Sequence, residues 1–323
     1  MPEMTYADAV AKGLSDAMRE NDKVWVLGED VSHGGAYGAT QGLKDLFGGD
    51  RVRDTPISEA AIIGFSVGSA MTGWRPVAEL MHMDFSACAM DQLVNQLAKM
   101  RYMMGGSTSL PATVRCGVGG WLNAAAQHSQ SLEAWFTHIP GLKVAAAATP
   151  ADVRAVLLAA IRDDDPVIVL ESLSLYPEKG EVSDDPVAAP LGIADVKRPG
   201  DDLTILTWGG TVPRVLRAAE TAAAHAVSAE VIDLLWLHPL DREAIVRSIE
   251  KTHRVLIVHQ ACERAGFGAE IAAFIAAEAF DLLDAPIRRV AGLNVPVPFA
   301  PALENYVLPG EERIARAIFE VAA

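Results

Sequence analysis

Val24-Trp25-Val26-Leu27-Gly28-Glu29-Asp30 is the stretch whose reading decides the fold. Four apolar residues run together without alternation, the pattern of a strand buried on both faces of a parallel sheet. Glycine ends the run and hands two carboxylates to a loop. Loops at the carboxyl ends of parallel strands are where open α/β sheets bind ligands, so Glu29 stands at a candidate site as well as at a strand end. Before this strand, Thr5-x-x-Asp8 is a capping-box variant ahead of Val10, Leu14 and Met18, which predicts a helix ended by Asn21-Asp22.

The alternation of strand and helix continues from there. A short helix is expected around Gly42–Phe47, a strand from Val52 that Pro56 breaks, and a helix capped by Ser58 and running to about Thr72. That helix is rich in small residues (Ala60, Ala61, Gly64, Gly68, Ala70), which admit either another helix or the chain's own sheet. Val77–Met81 reads as a strand, and Met90, Leu93, Val94, Leu97 and Met100 predict a core-facing helix stopped by Gly105-Gly106. Ala112–Arg115 is a strand entering a glycine-rich turn (Gly117, Gly119, Gly120) and a loop that carries Gln127-His128-Ser129-Gln130. Glycines let a backbone approach a ligand closely, and imidazole is the side chain best suited to moving protons near neutral pH.

Ser131–Phe136 reads as a helical turn with a stop at Pro140-Gly141, Leu142–Ala146 as a strand, and Thr149-Pro150 as the start of a helix burying Val153, Leu157 and Ile161. Asp163–Pro166 turns into the strand Val167–Leu170. From Tyr176 to Asp202 the periodicity lapses into prolines, glycines and acids, so residues 177–202 are expected to link a domain over 1–176 to one over 203–323. Strands at Leu203–Thr207, Glu230–Leu234, Arg254–His259 and Ile287–Val290 follow, interleaved with helices at Val212–Ala224, Asp241–Lys251 and Gly268–Phe280. A last helix opens at Pro309 and reaches Val321. The pattern predicts an α/β protein of two parallel-sheet domains.

Length and composition agree. A chain of 323 residues makes about two domains, and with half its residues hydrophobic and 21% charged it suits packed domains rather than disorder. A net charge of -15 argues against nucleic acid and anionic membrane surfaces and favours basic protein partners. Cys88, Cys116 and Cys262 are scattered and odd in number, which points to reduced thiols, not a disulfide frame or zinc site. With no signal-peptide pattern and no apolar run near the roughly 20 residues of a membrane span, a cytoplasmic protein is expected. A dinucleotide site is excluded, because neither Gly117-Val118-Gly119 nor Gly266-Phe267-Gly268 completes its glycine motif. No P-loop or nucleophile-elbow serine is present, and Ser129 beside His128 cannot form a catalytic triad.

One constellation remains. In order stand Val26-Leu27-Gly28-Glu29-Asp30, Asp54-Thr55-Pro56-Ile57-Ser58-Glu59-Ala60, Asp91-Gln92-Leu93-Val94-Asn95-Gln96, Arg101-Tyr102-Met103-Met104-Gly105-Gly106, Gln127-His128-Ser129-Gln130-Ser131 and Ile161-Arg162-Asp163-Asp164-Asp165-Pro166. Together with Trp236-x-x-Pro239-Leu240-Asp241 and Pro296-Val297-Pro298-Phe299 they resemble, over essentially the whole chain, the β subunit of the thiamine-diphosphate-dependent first component of 2-oxo acid dehydrogenase complexes. Pyruvate, branched-chain 2-oxo acid and acetoin dehydrogenases are its branches. The resemblance implies a transketolase-like pyrimidine-binding domain followed by a transketolase C-terminal domain.

It also implies roles. Glu59 matches the glutamate that hydrogen-bonds the aminopyrimidine nitrogen of the cofactor, a contact that promotes ionisation of the thiazolium carbon. Phe85 falls where an aromatic stacks on that ring, and Glu29 matches a second carboxylate near the cofactor. His128 matches a histidine beside the substrate, placed to orient it or to donate a proton during acyl transfer to a lipoyl group. Ala112, Ala160, Ile161, Asp163 and Asp165 fall where some members bind a potassium ion, mostly through backbone carbonyls. No Gly-Asp-Gly motif occurs, so the resemblance implies that a separate α subunit holds Mg²⁺ and the diphosphate in an α2β2 heterotetramer. The subunit-binding and lipoyl domains of a dihydrolipoyl acyltransferase are the further partners implied. Trp121 is bulkier than its loop position usually carries in the family, and is expected to shape the pocket. The competing readings are a transketolase-like half enzyme acting on sugar phosphates and a non-catalytic assembly subunit.

Overall fold

The Thr5 capping box forms as expected. Its hydroxyl accepts from the Asp8 amide at 3.1 Å and its own amide donates to the Asp8 carboxylate at 3.4 Å, opening helix α1 (Tyr6–Glu20) with Asn21 as its C-cap. The computed structural model of the chain describes residues 2–323. They form two compact units, the first reaching Val118 and resuming at Trp135–Leu191, the second made of Gly119–Ala134 and Gly192–Ala323.

In the first unit come β1 (Val24–Gly28), β2 (Val52–Asp54), α2 (Glu59–Met71), β3 (Arg75–Leu80), β4 (Thr113–Val118), β5 (Lys143–Ala147), α3 (Pro150–Arg162) and β6 (Val167–Ser172). The strands lie in the order β5-β6-β4-β3-β1-β2, with every pairing parallel. The uninterrupted apolar run of β1 is explained by cover on both faces: Val24, Val26 and Leu27 are buried, and Trp25 donates its indole N–H to Ser69 of α2 at 3.0 Å. Helix α2 buries Ile62, Ile63, Ser66, Val67 and Ala70. Its small residues Ala60, Ala61 and Gly68 face outward, and Phe65 stands among them 68% exposed. The small-residue face is therefore not the one that packs on this unit's sheet.

Two local expectations are corrected. Ser58 does precede α2, but its hydroxyl makes no capping bond; its ψ of 87° differs from the 162° and 163° of the two threonine caps, Thr5 and Thr149. In place of the single helix expected over Met90–Met100 stands a π-helical turn Gln92–Leu97 followed by a short helix Met100–Met103, the whole preceded by a 3₁₀ turn Met83–Ala89. The π turn buries Leu93 and Leu97, as the spacing required, but its wider winding breaks the helix before it can continue. Gly141 ends the following turn at φ +103°, where a Cβ would lie 1.9 Å from the Ala98 carbonyl oxygen.

The second unit holds β7 (Asp195–Arg198), β8 (Leu203–Thr207), α4 (Val212–Ala223), β9 (Ala229–Asp233), α5 (Arg242–Thr252), β10 (Val255–Cys262), α6 (Phe267–Glu278), β11 (Arg288–Gly292), α7 (Pro301–Val307) and α8 (Glu311–Ala322). Its sheet runs β11-β10-β8-β9-β7. The first four strands are parallel, and β7 joins antiparallel to β9. Leu203, Ile205, Val231, Leu256 and Val258 from the sheet meet Val215 and Ala219 of α4 and Ile314 and Ile318 of α8 in one core. So the second sheet is mixed, and the stretch expected as linker contains strands: β7, and Lys179–Glu181, which pairs antiparallel with Glu3–Thr5. Neither of these segments is fully buried, so neither carries the apolar periodicity by which a strand is read from sequence. Helix α7 was not foreseen.

Candidate active site

At the carboxyl end of β1 the chain turns on Gly28, where a Cβ would stand 3.0 Å from both the Cβ and the carbonyl oxygen of Glu79. Glu29 follows directly, half-buried. Glu59 is the first residue of α2, also half-buried, where the helix dipole favours a negative charge. Neither carboxylate has a hydrogen bond or a cationic partner among the described residues. The pKa of Glu29 is raised by burial first, then by the charges of Glu59, Asp30 and Glu79. Phe85, in the 3₁₀ turn after β3, leaves part of its ring open and meets His82 edge-on at 5.3 Å between centroids. That turn packs on α2, the helix that Glu59 begins. The His82 ring in turn bonds the Tyr37 hydroxyl at 2.6 Å.

The neighbouring strands treat their acids differently. Arg115 of β4 is fully buried and reaches Glu171 of β6 with two bonds, Nε–Oε1 at 2.7 Å and Nη2–Oε2 at 2.8 Å, and Glu79 of β3 with a third at 2.7 Å. The Tyr176 hydroxyl donates to Glu171 at 2.6 Å. Burial by itself would lower the Arg115 pKa, but Glu171 and Glu79 raise it far above its ordinary value. Burial pushes Glu79 up, only partly offset by Arg115. Gly35 passes so close that a Cβ there would stand 2.7 Å from Glu79 Oε1.

His128 lies in the segment Gly119–Ala134, which packs with the second unit. It is exposed at the crest of Gly119–Ala134. At the start of this loop Gly119 donates to the Gln130 carbonyl at 3.1 Å, and its φ of +91° lets it pass the Gln260 side chain, which a Cβ would meet at 2.3 Å. Trp121, Asn123 and Ala125 all adopt positive φ (64°, 55° and 61°), a conformation that costs side-chain-bearing residues about 1–3 kcal/mol each. Glu304 of α7, 2% exposed, holds this strained run: Oε1 accepts from the amides of Trp121 (2.9 Å), Leu122 (3.3 Å) and Asn123 (3.2 Å), and Oε2 from Asn123 again (3.2 Å). The Trp121 ring lies under the Arg214 guanidinium at 3.8 Å. At the loop's far end the buried carboxylate of Glu133 accepts from the Trp208 indole at 3.2 Å, and burial raises its pKa. Behind the loop lies a cavity of about 590 Å³, walled by Ser129, Ser131 and Leu132 together with Gln260, Cys262 and Val297. The Ser129 and Ser131 hydroxyls and the Gln260 amide nitrogen are buried without hydrogen bonds.

Backbone amides and side-chain cations already serve the residues expected around potassium. The Ala112 carbonyl accepts from Val167 at 3.1 Å and that of Ala160 from Asp163 at 3.3 Å. Arg75 donates to the carbonyls of Ile161 (3.0 Å) and Asp163 (2.9 Å) and pairs with the Asp164 carboxylate at 2.5 Å. Lys143 sits on the Asp163 carboxylate at 2.7 Å, and Asp165 is bound by Arg101 and Lys143. Burial works to raise the Asp165 pKa, but these two partners win and lower it. A donor set already turned to two guanidinium groups, an ammonium and backbone amides does not fit a further monovalent cation.

Of the candidate residues, Glu29, Glu59 and Phe85 are brought to one unit and His128 to the other. Glu304, Glu133 and Trp208 escaped the sequence reading. Their only signal was indirect, in that Glu304 closely follows the Pro296–Phe299 motif.

The sequence matches the transketolase pyrimidine-binding domain over residues 2–179 and the transketolase C-terminal domain over 192–314. It is 44% identical to the β subunit of acetoin:2,6-dichlorophenolindophenol oxidoreductase of Bacillus subtilis, covering 98% of this chain and 97% of that one. It is 42% identical to the 2-oxoisovalerate dehydrogenase β subunit of the same organism, covering 100% and 99%. The mitochondrial pyruvate dehydrogenase E1 β subunit of Dictyostelium discoideum is also 42% identical, covering 98% and 90%. Among solved structures, a split-gene transketolase described as an inactive β4 tetramer superposes with a TM-score of 0.81 at 22% identity, covering 99% and 98%, a likeness of fold. The chain belongs to the transketolase-like family of dehydrogenase β subunits.

Proposed function

We propose that this chain is the β subunit of a thiamine-diphosphate-dependent component that cleaves a 2-oxo acid or acetoin and passes the acyl group to a lipoyl domain. The observation that carries the reading is the pair Glu29 and Glu59: two half-buried carboxylates side by side, with no partner of their own among the described residues. A buried or half-buried charge without a partner is costly, and a ligand that offers an N–H removes the cost. The partly open ring of Phe85 gives a flat apolar surface for a pyrimidine. These residues fit the pyrimidine side of the cofactor.

Bound thiamine diphosphate supplies a nucleophilic carbon for attack on the substrate carbonyl. Glu59 would hold the pyrimidine ring nitrogen through a single proton shared between that nitrogen and its carboxyl group. Glu29 keeps the local charge negative. His128, exposed on its anchored loop, orients the substrate and gives a proton at acyl transfer. Mg²⁺ and the diphosphate fall to a separate α chain, in keeping with the naming of the relatives as β subunits. The outward face of α2 suits assembly: Ile57 (83% exposed), Ala61, Phe65 and Gly68 form an apolar stripe, and a Cβ on Gly68 would meet nothing within 4 Å. We read this stripe as a subunit contact in an α2β2 heterotetramer. The acidic surface suits the basic subunit-binding domain of an acyltransferase.

The test is co-purification with its α chain, followed by turnover of pyruvate, acetoin and branched-chain 2-oxo acids with thiamine diphosphate, Mg²⁺ and an artificial electron acceptor. Activity with at least one of them, lost in Glu59→Gln, is expected. A pair that turns over none of them, or an active pair indifferent to Glu59→Gln, overturns the proposal.

A further inference from the structure

The loop that presents His128 is strained and open to solvent, and something must hold it. Three residues with side chains, Trp121, Asn123 and Ala125, sit at positive φ within five positions. Such a run is not locally stable and persists only where its surroundings impose it. The imposing group is visible. Glu304 projects from α7 into the turn, almost wholly buried, and its two oxygens take the amides of three consecutive residues, Trp121, Leu122 and Asn123. Backbone N–H groups aimed at a carboxylate form strong, charge-assisted bonds. Gly120 makes room for them, since a Cβ there would stand 3.2 Å from Glu304 Oε1 and 2.7 Å from Leu308. From Asn123 only four residues lead to His128, whose amide donates to the Ala125 carbonyl at 3.4 Å. At the other end Glu133 is tied to Trp208.

We propose that Glu304 is a positioning residue for His128: its carboxylate fixes the Trp121–Asn123 turn and thereby sets where the imidazole stands. Glu304 needs no contact with substrate or cofactor for this. The proposal rests on the role assigned to His128 above.

The experiment uses the co-purified α and β chains with Glu304→Ala, Glu304→Gln and, separately, His128→Asn. Glu304→Ala removes all four bonds. It is expected to lower kcat and kcat/KM together by about 10- to 100-fold, the scale of a displaced catalytic group, and to speed hydrogen exchange at the Trp121, Leu122 and Asn123 amides. Glu304→Gln keeps one accepting oxygen and should fall between the wild type and Glu304→Ala in both measurements. If Glu304→Ala does not fold, Glu304→Gln carries the test with the same two measurements. Unchanged exchange at the three amides, or turnover within twofold of wild type while His128→Asn is inactive, overturns the positioning role and leaves the role of His128 standing. If His128→Asn turns over normally, the role of His128 fails instead, and the exchange measurement still decides whether Glu304 holds the turn.

Discussion

Two sets of acids in one sheet are handled in opposite ways. Glu171 on β6, buried, and Glu79 on β3, its side chain only 13% exposed, are held to Arg115 by three bonds of 2.7–2.8 Å. Glu29 and Glu59, at the end of β1 and the start of α2, are half-buried and have no partner among the described residues. A buried charge that is fully bonded belongs to the architecture. One that is left without a partner is a candidate for a ligand. The second unit adds a third case, His259: wholly buried, stacked on Trp208 at 5.2 Å, with neither ring nitrogen in a hydrogen bond of ordinary geometry. There the cost is avoided by staying neutral, and burial, aided by Arg289, pulls its pKa down to about 4.

The widest separation between the two sets is expected from Glu59→Gln, which should lower turnover of the assembled pair by about 10²–10⁴-fold while moving stability by no more than about 0.5 kcal/mol. Steady-state kinetics beside urea unfolding checks both halves, and a large stability loss would place Glu59 with the architectural acids. Arg115→Met strands two buried carboxylates and should cost about 3–5 kcal/mol. Replacing Glu79 and Glu171 by Met as well should recover part of that loss, because it removes the orphaned charges. Urea unfolding of the single and triple variants measures it, and a single variant as stable as wild type would end the distinction drawn here.

For His259 the folded pKa lies below the ordinary 6.5, so the unfolded chain binds a proton that the folded chain refuses. Stability should therefore fall as pH drops from 6.5 towards about 4, by about 3 kcal/mol from this group. His259→Phe should remove that part of the slope in unfolding measured across the interval. Glu29 carries the opposite sign. Its folded pKa is raised above 4.5, so its stabilising share is present below that pH and is lost as pH rises through the raised value. Glu29→Gln should make the chain slightly more stable at neutral pH, by less than about 1 kcal/mol since solvent screens a half-exposed group. A loss of stability on that substitution would mean that Glu29 has a partner after all.

What could be read in the sequence follows from how local the information is. The capping box at Thr5, the two-sided burial of Val24–Leu27, the acids delivered at Glu29 and Glu59 and the glycine-lined loop of His128 are all written within a few neighbouring residues. Periodicity also carried the alternation of strand and helix, and failed where no full face is buried, at β7 and at Lys179–Glu181. It misjudged Met90–Met100 because a π turn satisfies the same burial of Leu93 and Leu97 with a different winding.

By itself, then, the sequence determined the mostly parallel α/β architecture and the residue types proposed for the site, since hydrophobic period and chain punctuation act over single turns and strands. Only the tertiary structure decided which charges are compensated. Arg115 finds Glu79 at 36 and Glu171 at 56 positions along the chain, and Glu304 finds the Trp121 amide at 183. Such partners are chosen by strand order and loop path, which no local pattern encodes.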